Sequence, residues 1–312
     1  MTRFVFGTVC TVNLYEKGSE ALYNRVFDRL QTIEEVLSAN LDSSNISEIN
    51  NAAGISPVRA APETMYVLQR AIEFSKKSGG AFDPSIGAVT KLWSIGFEEE
   101  TVPDNTVLRE KTALVDYRDI IINDDEQTVF LARPGMRLDL GGIAKGYAAD
   151  EAAALLVSSG IKKAIIDLGG NILALGEKDG HTPWTIGIRN PEWGSRTAVF
   201  TIPVINKSVV TSGIYERFFE EDGVHYHHIL DPATGYPVDN ELLSVTIITP
   251  VSLDADALST AAFVLGPEKG FHLIESLSGA EAVFINRDRE IRITPGLSGT
   301  IQMLDSSFTL AE

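Results

Sequence analysis

Short strand-like segments fill the stretch from residue 184 to residue 251, and this stretch constrains the fold most strongly. The segments cover residues 184–188, 198–203, 208–211, 217–219 and 243–248. Each is rich in β-branched or aromatic residues, and turn-forming residues separate it from the next. So many short runs in succession predict an antiparallel sheet.

Helical patterns lie on both sides of this stretch. Apolar residues at helical spacing predict helices over residues 19–38, 62–78 and 254–265, with a further helix after Gly266-Pro267. Alternating apolar and polar residues predict an opening strand over residues 1–15. Because helices and strands alternate irregularly, the chain is predicted to have an α+β fold.

The remaining segments are predicted to be loops, turns and one hairpin. Residues 40–54 are polar and are expected to form a loop, whereas residues 97–109 are acidic and are expected to form a surface excursion. Residues 117–133 are typical of a hairpin. Residues 137–142 and 165–170 both end in Asp-Leu-Gly-Gly, the first after a predicted strand and before a helix, the second before a strand.

The net charge limits the partners of the chain. There are 43 Asp and Glu residues against 26 Lys and Arg residues, so the formal charge is −17 at pH 7. This charge repels phosphate backbones and anionic membrane surfaces, which argues against nucleic-acid partners. An acidic protein that binds an anionic nucleotide needs a metal ion, helix N-termini or a few well-placed cations.

The cysteine content and the first residues bear on the compartment. Cys10 is the single cysteine, which excludes an intrachain disulfide and a multi-cysteine zinc site. The chain as it stands begins with neither a signal peptide nor a lipidation cysteine, and no apolar stretch is long enough to span a membrane. The literal expectation is a cytoplasmic protein, or an extracytoplasmic one if an export signal was trimmed. The sequence does not predict the oligomeric state.

Two segments could bind an anionic ligand through a metal or a helix N-terminus. Residues 139–150 contain a glycine turn that opens a helix, with Lys145 one turn inside it, within reach of a phosphate. Asp256 and Thr260 are four residues apart on a predicted helix, and a carboxylate with a hydroxyl suits Mg²⁺. Taken alone, the first segment is better interpreted as a plain connection. The second is better interpreted as a helix capped by Asp254 or Asp256.

A third segment, residues 226–237, combines aromatic residues and two histidines in a turn-rich loop. A histidine with a pKa near neutrality can take a proton from a hydroxyl group. Taken alone, the segment is better interpreted as a turn with surface histidines. A functional interpretation therefore needs the three segments together.

Together, the ordered motifs resemble those of the ApbE family of flavin transferases, from Phe6-Gly-Thr8 to Gly266. In order, they are Asp-Leu-Gly-Gly-Ile-Ala-Lys-Gly-Tyr-Ala, Asp-Leu-Gly-Gly-Asn, Thr-Ser-Gly, His-Ile-Leu-Asp-Pro-Ala-Thr-Gly and Asp-Ala-Leu-Ser-Thr-Ala. The resemblance implies a single ApbE-like domain over residues 1–312, related to the T-fold. It implies antiparallel sheets flanked by helices, in two intimately packed lobes with an FAD cleft between them.

The resemblance also implies the residues of the site. It places Mg²⁺ on Asp256, Thr260 and the backbone carbonyl of Gly142, and it assigns catalytic roles to Asp256 and to His228, the latter as base or orienting group for an acceptor hydroxyl. The implied contacts to FAD are Phe6, Asn50, Phe82, Asp83, Asp139, Lys145, Gly169, Gly170, Thr211 and Ser212.

The reaction implied by the resemblance is Mg²⁺-dependent transfer of FMN from FAD to a Thr or Ser hydroxyl of an acceptor redox or respiratory protein, with release of AMP. Two alternatives stay open. An FAD pyrophosphatase would give FMN and AMP, and a non-catalytic protein would only bind FAD. A protein-linked flavin identifies the transferase, and Mg²⁺-dependent release of AMP excludes simple binding.

Overall fold

The computed structural model describes residues 1–192, 194–195 and 197–311. The α-helices in these ranges are α1 (Glu20–Leu37), α2 (Asn45–Asn51), α3 (Pro62–Lys77), α4 (Gly87–Trp93), α5 (Asn105–Thr112), α6 (Ala144–Ser158) and α7 (Ser252–Glu275). The strands are β1 (Thr2–Val5), β2 (Thr8–Leu14), β3 (Val58–Arg59), β4 (Ile120–Asn123), β5 (Thr128–Leu131), β6 (Ala164–Leu168), β7 (Asn171–Leu175), β8 (Trp184–Arg189), β9 (Ala198–Val204), β10 (Lys207–Gly213), β11 (Phe218–Glu221), β12 (Val224–His227), β13 (Leu242–Thr249), β14 (Glu281–Asn286), β15 (Glu290–Ile293), β16 (Gln302–Met303) and β17 (Thr309–Leu310).

The chain divides into two compact units. Unit 1 comprises Met1–Thr32, Lys145–Gly213 and Glu241–Glu312, and unit 2 comprises Ile33–Ala144 and Ile214–Asn240. Both units combine antiparallel strands with helices, so the predicted α+β class is confirmed. Among the helices of the described ranges, none has the length and apolar character needed to cross a membrane.

A nine-stranded sheet forms the centre of unit 1. Its order is β1-β2-β6-β7-β10-β13-β14-β15-β17, and only the last pair is parallel. Helix α7 packs against β10, β13 and β14 and buries residues on nearly every side, as expected of a helix inside a core. A kink at Gly266, before Pro267, divides α7 where the sequence predicts a break.

A second sheet, of order β16-β9-β8, completes the core of unit 1. Phe200 of β9 and Trp184 of β8 are buried in one cluster with Val209 of β10 and Ile248 of β13. Successive residues of a strand face opposite sides of a sheet. Ser212, three positions after Val209, therefore lies on the other face of β10, where it contacts α7. Strands β10 and β13 are thus covered on both faces, which explains why β13 is buried along nearly its whole length.

Unit 2 has a small sheet of order β3-β5-β4, a separate hairpin of β11 and β12, and a core around Trp93. Trp93 is fully buried, and its Nε1 donates a hydrogen bond to the carbonyl oxygen of Gly235 at 2.7 Å. The rings of Tyr226 and Tyr236 lie 5.4 and 5.5 Å from that of Trp93. This aromatic core holds the hairpin and the loop that follows it.

Five local predictions are corrected by the structure. Residues 1–15 were predicted to form one strand, but they form the two antiparallel strands β1 and β2, because Phe6 and Gly7 make a tight turn with positive φ. Residues 40–54 contain the short helix α2, which Ser44 caps and whose Ile46 and Ile49 are buried. Helix α5 begins inside the predicted excursion of residues 97–109. Helix α4 was not predicted, and residues 137–140 make only an isolated bridge at Arg137 instead of a strand. Such short elements are stabilised by packing, which a local pattern does not reveal.

Candidate active site

The first turns of α6 and α7 meet in unit 1 around the carboxylate of Asp256. The backbone N–H of Gly146 donates a hydrogen bond to Asp256 Oδ2 at 2.8 Å, and Lys145 Nζ lies 4.0 Å from Asp256 Oδ1. Asp256 is 4% exposed, so this carboxylate is removed from water. The contact joins residues 110 positions apart in the chain and unites two of the predicted motifs.

Gly146 makes this contact possible because a side chain does not fit there. A Cβ atom on Gly146 would lie 2.4 Å from the carbonyl oxygen of Ser252 and 2.6 Å from the Cα of Leu253. Both are backbone atoms, so α6 and α7 would have to move apart. Glycine is therefore required by the distance between the two helices.

Gly146→Ala is expected to lower the free energy of unfolding by about 1–3 kcal/mol through overpacking, despite the better helix propensity of alanine. FAD with Mg²⁺ should also stabilise the variant less than the wild-type protein, because Asp256 would move together with α7. Thermal unfolding with and without these ligands measures both effects. Gly270→Ala is the matched control, since its Cβ would lie 2.2 Å from the carbonyl oxygen of Ala262. Equal ligand-induced shifts in both variants would contradict the prediction.

The environment of Asp256 opposes its charge and also partly compensates it. Burial raises the pKa of the Asp256 carboxyl, against the opposing effects of the Lys145 ammonium group, the Gly146 N–H and the Asn171 amide. Asn171 Nδ2 is buried and makes no hydrogen bond within the described residues. The Asn171 amide nevertheless lies close enough to the Asp256 carboxylate to lower its pKa by hydrogen bonding. A carboxylate in such a place favours a further cation.

Helix α7 is capped by a residue of α6. Its own N-cap residue, Val251, has no side-chain cap, and the Asp150 carboxylate instead accepts hydrogen bonds from the N–H groups of Ser252 and Leu253 at 2.8 and 2.9 Å. The interpretation in which Asp254 or Asp256 caps this helix is therefore wrong. The Ser252 hydroxyl donates in turn to Asn171 Oδ1 at 2.8 Å, so one network joins α6, α7 and β7.

Burial raises the pKa of Asp150 to about 6, and the two N–H donors of α7 only partly oppose this shift. Between about pH 4 and pH 6 the folded protein keeps a proton that the unfolded chain has lost. The stability linked to Asp150 is therefore present below about pH 4 and is lost as the pH rises through about 6.

As the pH rises from about 4 to about 7, the unfolding free energy of the wild-type protein is accordingly expected to fall relative to that of Asp150→Asn. The expected relative loss is up to about 3 kcal/mol. Asparagine does not titrate, so the difference isolates this carboxyl group. Denaturant unfolding of both proteins across this pH range measures it. Parallel stability curves would show that the group does not titrate as described.

Hydroxyl groups line the end of β10. The Ser212 hydroxyl lies 2.8 Å from that of Ser259, which donates to the carbonyl oxygen of Asp256 at 2.9 Å. Thr211 lies on the opposite face of the strand, with its hydroxyl 2.8 Å from that of Thr246. Of these two predicted FAD contacts, Ser212 is therefore the one linked to α7 and Asp256.

Two tight turns lie side by side in the central sheet. Phe6 and Gly7 join β1 to β2 with positive φ values of 56° and 65°, and Gly169 and Gly170 join β6 to β7 with values of 68° and 94°. A Cβ atom on Gly169 would lie 2.4 Å from Thr8 Oγ1, so the two turns are in close contact. The structure thus brings predicted residues Phe6, Gly169 and Gly170 together in unit 1.

In unit 2, Asp83 organises its own loop. Asp83 Oδ1 accepts hydrogen bonds from the N–H and hydroxyl of Ser85, and Oδ2 accepts from the N–H of Tyr117 at 2.9 Å. Burial raises the pKa of Asp83 against these donors, and Asp116 adds to the increase. Phe82, beside it, is only 5% exposed. The hydrogen bonds of the Asp83 carboxylate are thus made within unit 2.

The turn before α6 is held by side chains of unit 2. Asp139 Oδ2 accepts from the Thr90 hydroxyl at 2.7 Å, and Oδ1 accepts from the N–H of Gly141 at 2.8 Å, next to Gly142. Asn50 is buried and pairs through both amide atoms with the backbone of Leu138. Asn50 therefore fixes this segment, and its contact with a nucleotide stays a prediction.

The two neighbouring histidines of the hairpin differ in tautomer. His228 Nδ1 lies 3.2 Å from the carbonyl oxygen of Arg217, which can only accept, so Nδ1 carries the hydrogen and Nε2 of the neutral ring has a lone pair. His227 is buried; its Nε2 donates to Val238 O at 3.0 Å and its Nδ1 accepts from the Ile229 N–H. His228 can thus act as a base through Nε2, whereas His227 is structural.

Comparison with known proteins decides the family. The model of the ApbE family matches residues 6–284. The chain belongs to the ApbE family. It is 44% identical to the FAD:protein FMN transferase of Treponema pallidum (strain Nichols), over 98% of this chain and 89% of that protein. It is 39% identical to the FAD:protein FMN transferase of Klebsiella pneumoniae (strain 342), over 99% and 95% of the two chains.

Solved structures support the fold of this ApbE protein. The crystal structure of the ApbE protein from Thermotoga maritima superposes with a TM-score of 0.84 at 30% identity and covers 98% of this chain and 96% of that chain. The sequence resemblance and the predicted fold class are therefore confirmed. The assignments of individual site residues stay predictions.

The donor set of this ApbE chain fits Mg²⁺. No group of three His, Cys, Asp or Glu side chains that could hold a metal occurs among the described residues. The predicted set does not require one, because it combines the Asp256 carboxylate with the Thr260 hydroxyl and a backbone carbonyl. Asp256 and Thr260 are one turn apart on α7, and hard oxygen donors are those that Mg²⁺ prefers.

Three buried or half-buried polar residues near Asp256 were missed from the predicted site: Asp150, Asn171 and Ser259. Asn171 and Ser259 belong to the quoted motifs, whereas Asp150 is the last residue of the segment 139–150. The sequence carried a signal for Asp150. Asp150 is an acidic residue inside the alanine-rich helix α6, where a charge without an evident partner points to a specific contact. Nothing in the local pattern identifies the partners of Asn171 or Ser259.

Proposed function

We propose that this chain is a Mg²⁺-dependent FAD:protein FMN transferase, a single flavin transferase domain over residues 1–312. The observation that carries the proposal is the buried carboxylate of Asp256, held between Gly146 N–H and Lys145 in a chain of the ApbE family. The names of the two relatives support the same activity. The FMN half of FAD would be joined by a phosphoester bond to a Thr or Ser of an acceptor redox protein.

The proposed reaction is an in-line displacement at phosphorus. The acceptor oxygen attacks the phosphorus on the FMN side, the pyrophosphate P–O bond breaks, and AMP leaves with the bonding electrons. The proton of the acceptor hydroxyl passes to His228 Nε2, the ring nitrogen with the lone pair. When bound, Mg²⁺ would supply charge neutralisation at the pyrophosphate.

Residues of the chain supply binding and orientation in this proposal. Asp256, Thr260 and the carbonyl of Gly142 would hold the metal, and the Lys145 ammonium group would support the phosphate charge. The remaining predicted residues are assigned to FAD: Phe6, Asn50, Phe82, Asp83, Asp139, Gly169, Gly170, Thr211 and Ser212. The N-terminus of α6 adds its N–H groups and dipole, which offsets the negative charge of the chain.

The proposal is tested by incubating the protein with FAD and an acceptor subunit carrying a candidate Thr, with Mg²⁺ or with EDTA. AMP release and in-gel flavin fluorescence of the acceptor are followed together. Mg²⁺-dependent appearance of both is expected. AMP with free FMN alone would instead identify an FAD pyrophosphatase, and bound but intact FAD across several acceptors would refute catalysis.

A further inference from the structure

The two contacts between α6 and α7 form a matched pair. Gly146 and Asp150 are four residues apart on one face of α6, and Asp256 and Ser252 are four residues apart on α7. Gly146 N–H binds Asp256, and Asp150 binds Ser252 and Leu253, so the contacts run in opposite directions along the two helices. Two contacts one turn apart fix both the rotation of α7 and its position along its axis.

Capping a helix with the Asp150 carboxylate is energetically unfavourable, because a charged group has to be buried. The Asp150 carboxylate is largely buried, and the charged groups that face it are Asp254 of α7 and Glu151 of α6, both acidic. Glu151 is itself paired with Arg29 at 2.6 Å, so the charge of Arg29 is already engaged. A neutral cap would avoid the cost of burying this charge. The presence of a carboxylate at this position is better explained by placement of α7 than by stability.

The network of Asp150 also ends at Asp256. Ser252, whose N–H binds Asp150, donates its hydroxyl hydrogen to Asn171 Oδ1, which turns the Asn171 Nδ2 group away from Ser252. The Asn171 amide acts on the Asp256 carboxylate. Asp256 thus contacts Gly146 and Lys145 of α6 and is influenced by Asn171 of β7. Asp150 fixes the N-terminus of α7, the helix that carries Asp256.

We propose that Asp150 is a positioning residue of the active site. By capping α7 from α6 with two hydrogen bonds, it holds Asp256 in the orientation in which Asp256 and Thr260 bind a divalent cation. The inference rests on the proposed function, in which that cation serves FMN transfer. In this role Asp150 acts through α7 and Asp256, and it is assigned no contact of its own with substrate or metal.

The test compares Asp150→Asn with a matched control, Asp104→Asn. Asp104 caps α5 in the same manner, accepting from the N–H groups of Thr106 and Val107 at 2.8 and 3.2 Å, and α5 carries no proposed site residue. Two quantities are measured on each full-length protein. One is the Mg²⁺ concentration that gives half-maximal AMP release from FAD, and the other is the Kd of Mn²⁺ from the EPR signal of the free ion.

Asp150→Asn is expected to raise both the Mg²⁺ midpoint and the Mn²⁺ Kd by about 10–100-fold, as for loss of an outer-shell residue of a metal site. Activity should recover at saturating Mg²⁺, because Asp256 and Thr260 are still present. Asp104→Asn is expected to leave both values unchanged. A lower melting temperature of Asp150→Asn with unchanged metal affinities would show that the cap is merely structural and would overturn the inference.

Two further outcomes are distinguishable. If the wild-type protein releases no AMP, the proposed function fails, but the Mn²⁺ Kd still tests Asp150: a shift of about 10-fold or more supports the inference, and no shift overturns it. If Asp150→Asn does not fold, Asp150→Glu replaces it. This variant keeps the charge but pushes α7 away by one methylene group, so the same rise in Mn²⁺ Kd is expected and an unchanged Kd overturns the inference.

Discussion

Asp256→Asn is expected to lower the kcat/KM for AMP release and FMN transfer by at least about 10³-fold, since a catalytic metal contributes several kcal/mol to the stabilisation of the transition state. Asparagine preserves the size of the side chain but removes the charge that would bind the cation. The protein should remain folded. Burial raises the pKa of Asp256, so its ionised form costs stability at neutral pH, and asparagine avoids that cost.

The matched control for this variant is Asp254→Asn. Asp254 lies two residues earlier in the first turn of α7, and residues two apart on a helix do not share a face. Its replacement is expected to leave FMN transfer close to the wild-type rate. Steady-state assays of AMP and of acceptor-bound flavin measure the activity of each variant, and circular dichroism shows whether it is folded. An Asp256→Asn enzyme with a tenth or more of the wild-type activity would refute the assigned role.

His228→Asn is expected to reduce the rate of FMN transfer by about 10²–10⁴-fold, the usual contribution of a general base. The asparagine amide can still donate to the carbonyl oxygen of Arg217, as His228 Nδ1 does at 3.2 Å, but nothing replaces the lone pair of Nε2. Binding of FAD should change little, because the histidine is assigned to the acceptor hydroxyl. Fluorescence titration of FAD and single-turnover transfer to the acceptor separate the two effects.

His225→Asn serves as the control for the histidine variant. His225 lies on β12 of the same hairpin, where its ring stacks on Phe218 at 4.0 Å. Its replacement tests whether disturbance of the hairpin alone slows transfer. If both variants lose activity equally, or if His228→Asn transfers FMN at nearly the wild-type rate, His228 is not the base.

Regular elements with strong periodicity were predictable from the sequence. Helices predicted over residues 19–38 and 62–78 are observed as α1 (Glu20–Leu37) and α3 (Pro62–Lys77), because an apolar stripe and clear end signals define each of them. The hairpin predicted over residues 117–133 is observed as β4 and β5. The short helices α2 and α4 were not predictable, because buried residues such as Ile46 and Trp93 stabilise them through contacts distant in the chain.

The family and the α+β class could be inferred from the amino-acid sequence, because both depend on the order of motifs and on local periodicity. The sequence also singled out Lys145 and Asp256 as candidate residues in separate motifs. The packing of α6 against α7 was needed to show that these two side chains lie 4.0 Å apart and that there is no room for a Cβ atom at Gly146. The same packing shows that Asp150, rather than Asp254 or Asp256, caps α7. A cap between residues 102 positions apart depends on how two helices pack, and helix packing follows from the whole core and not from local sequence.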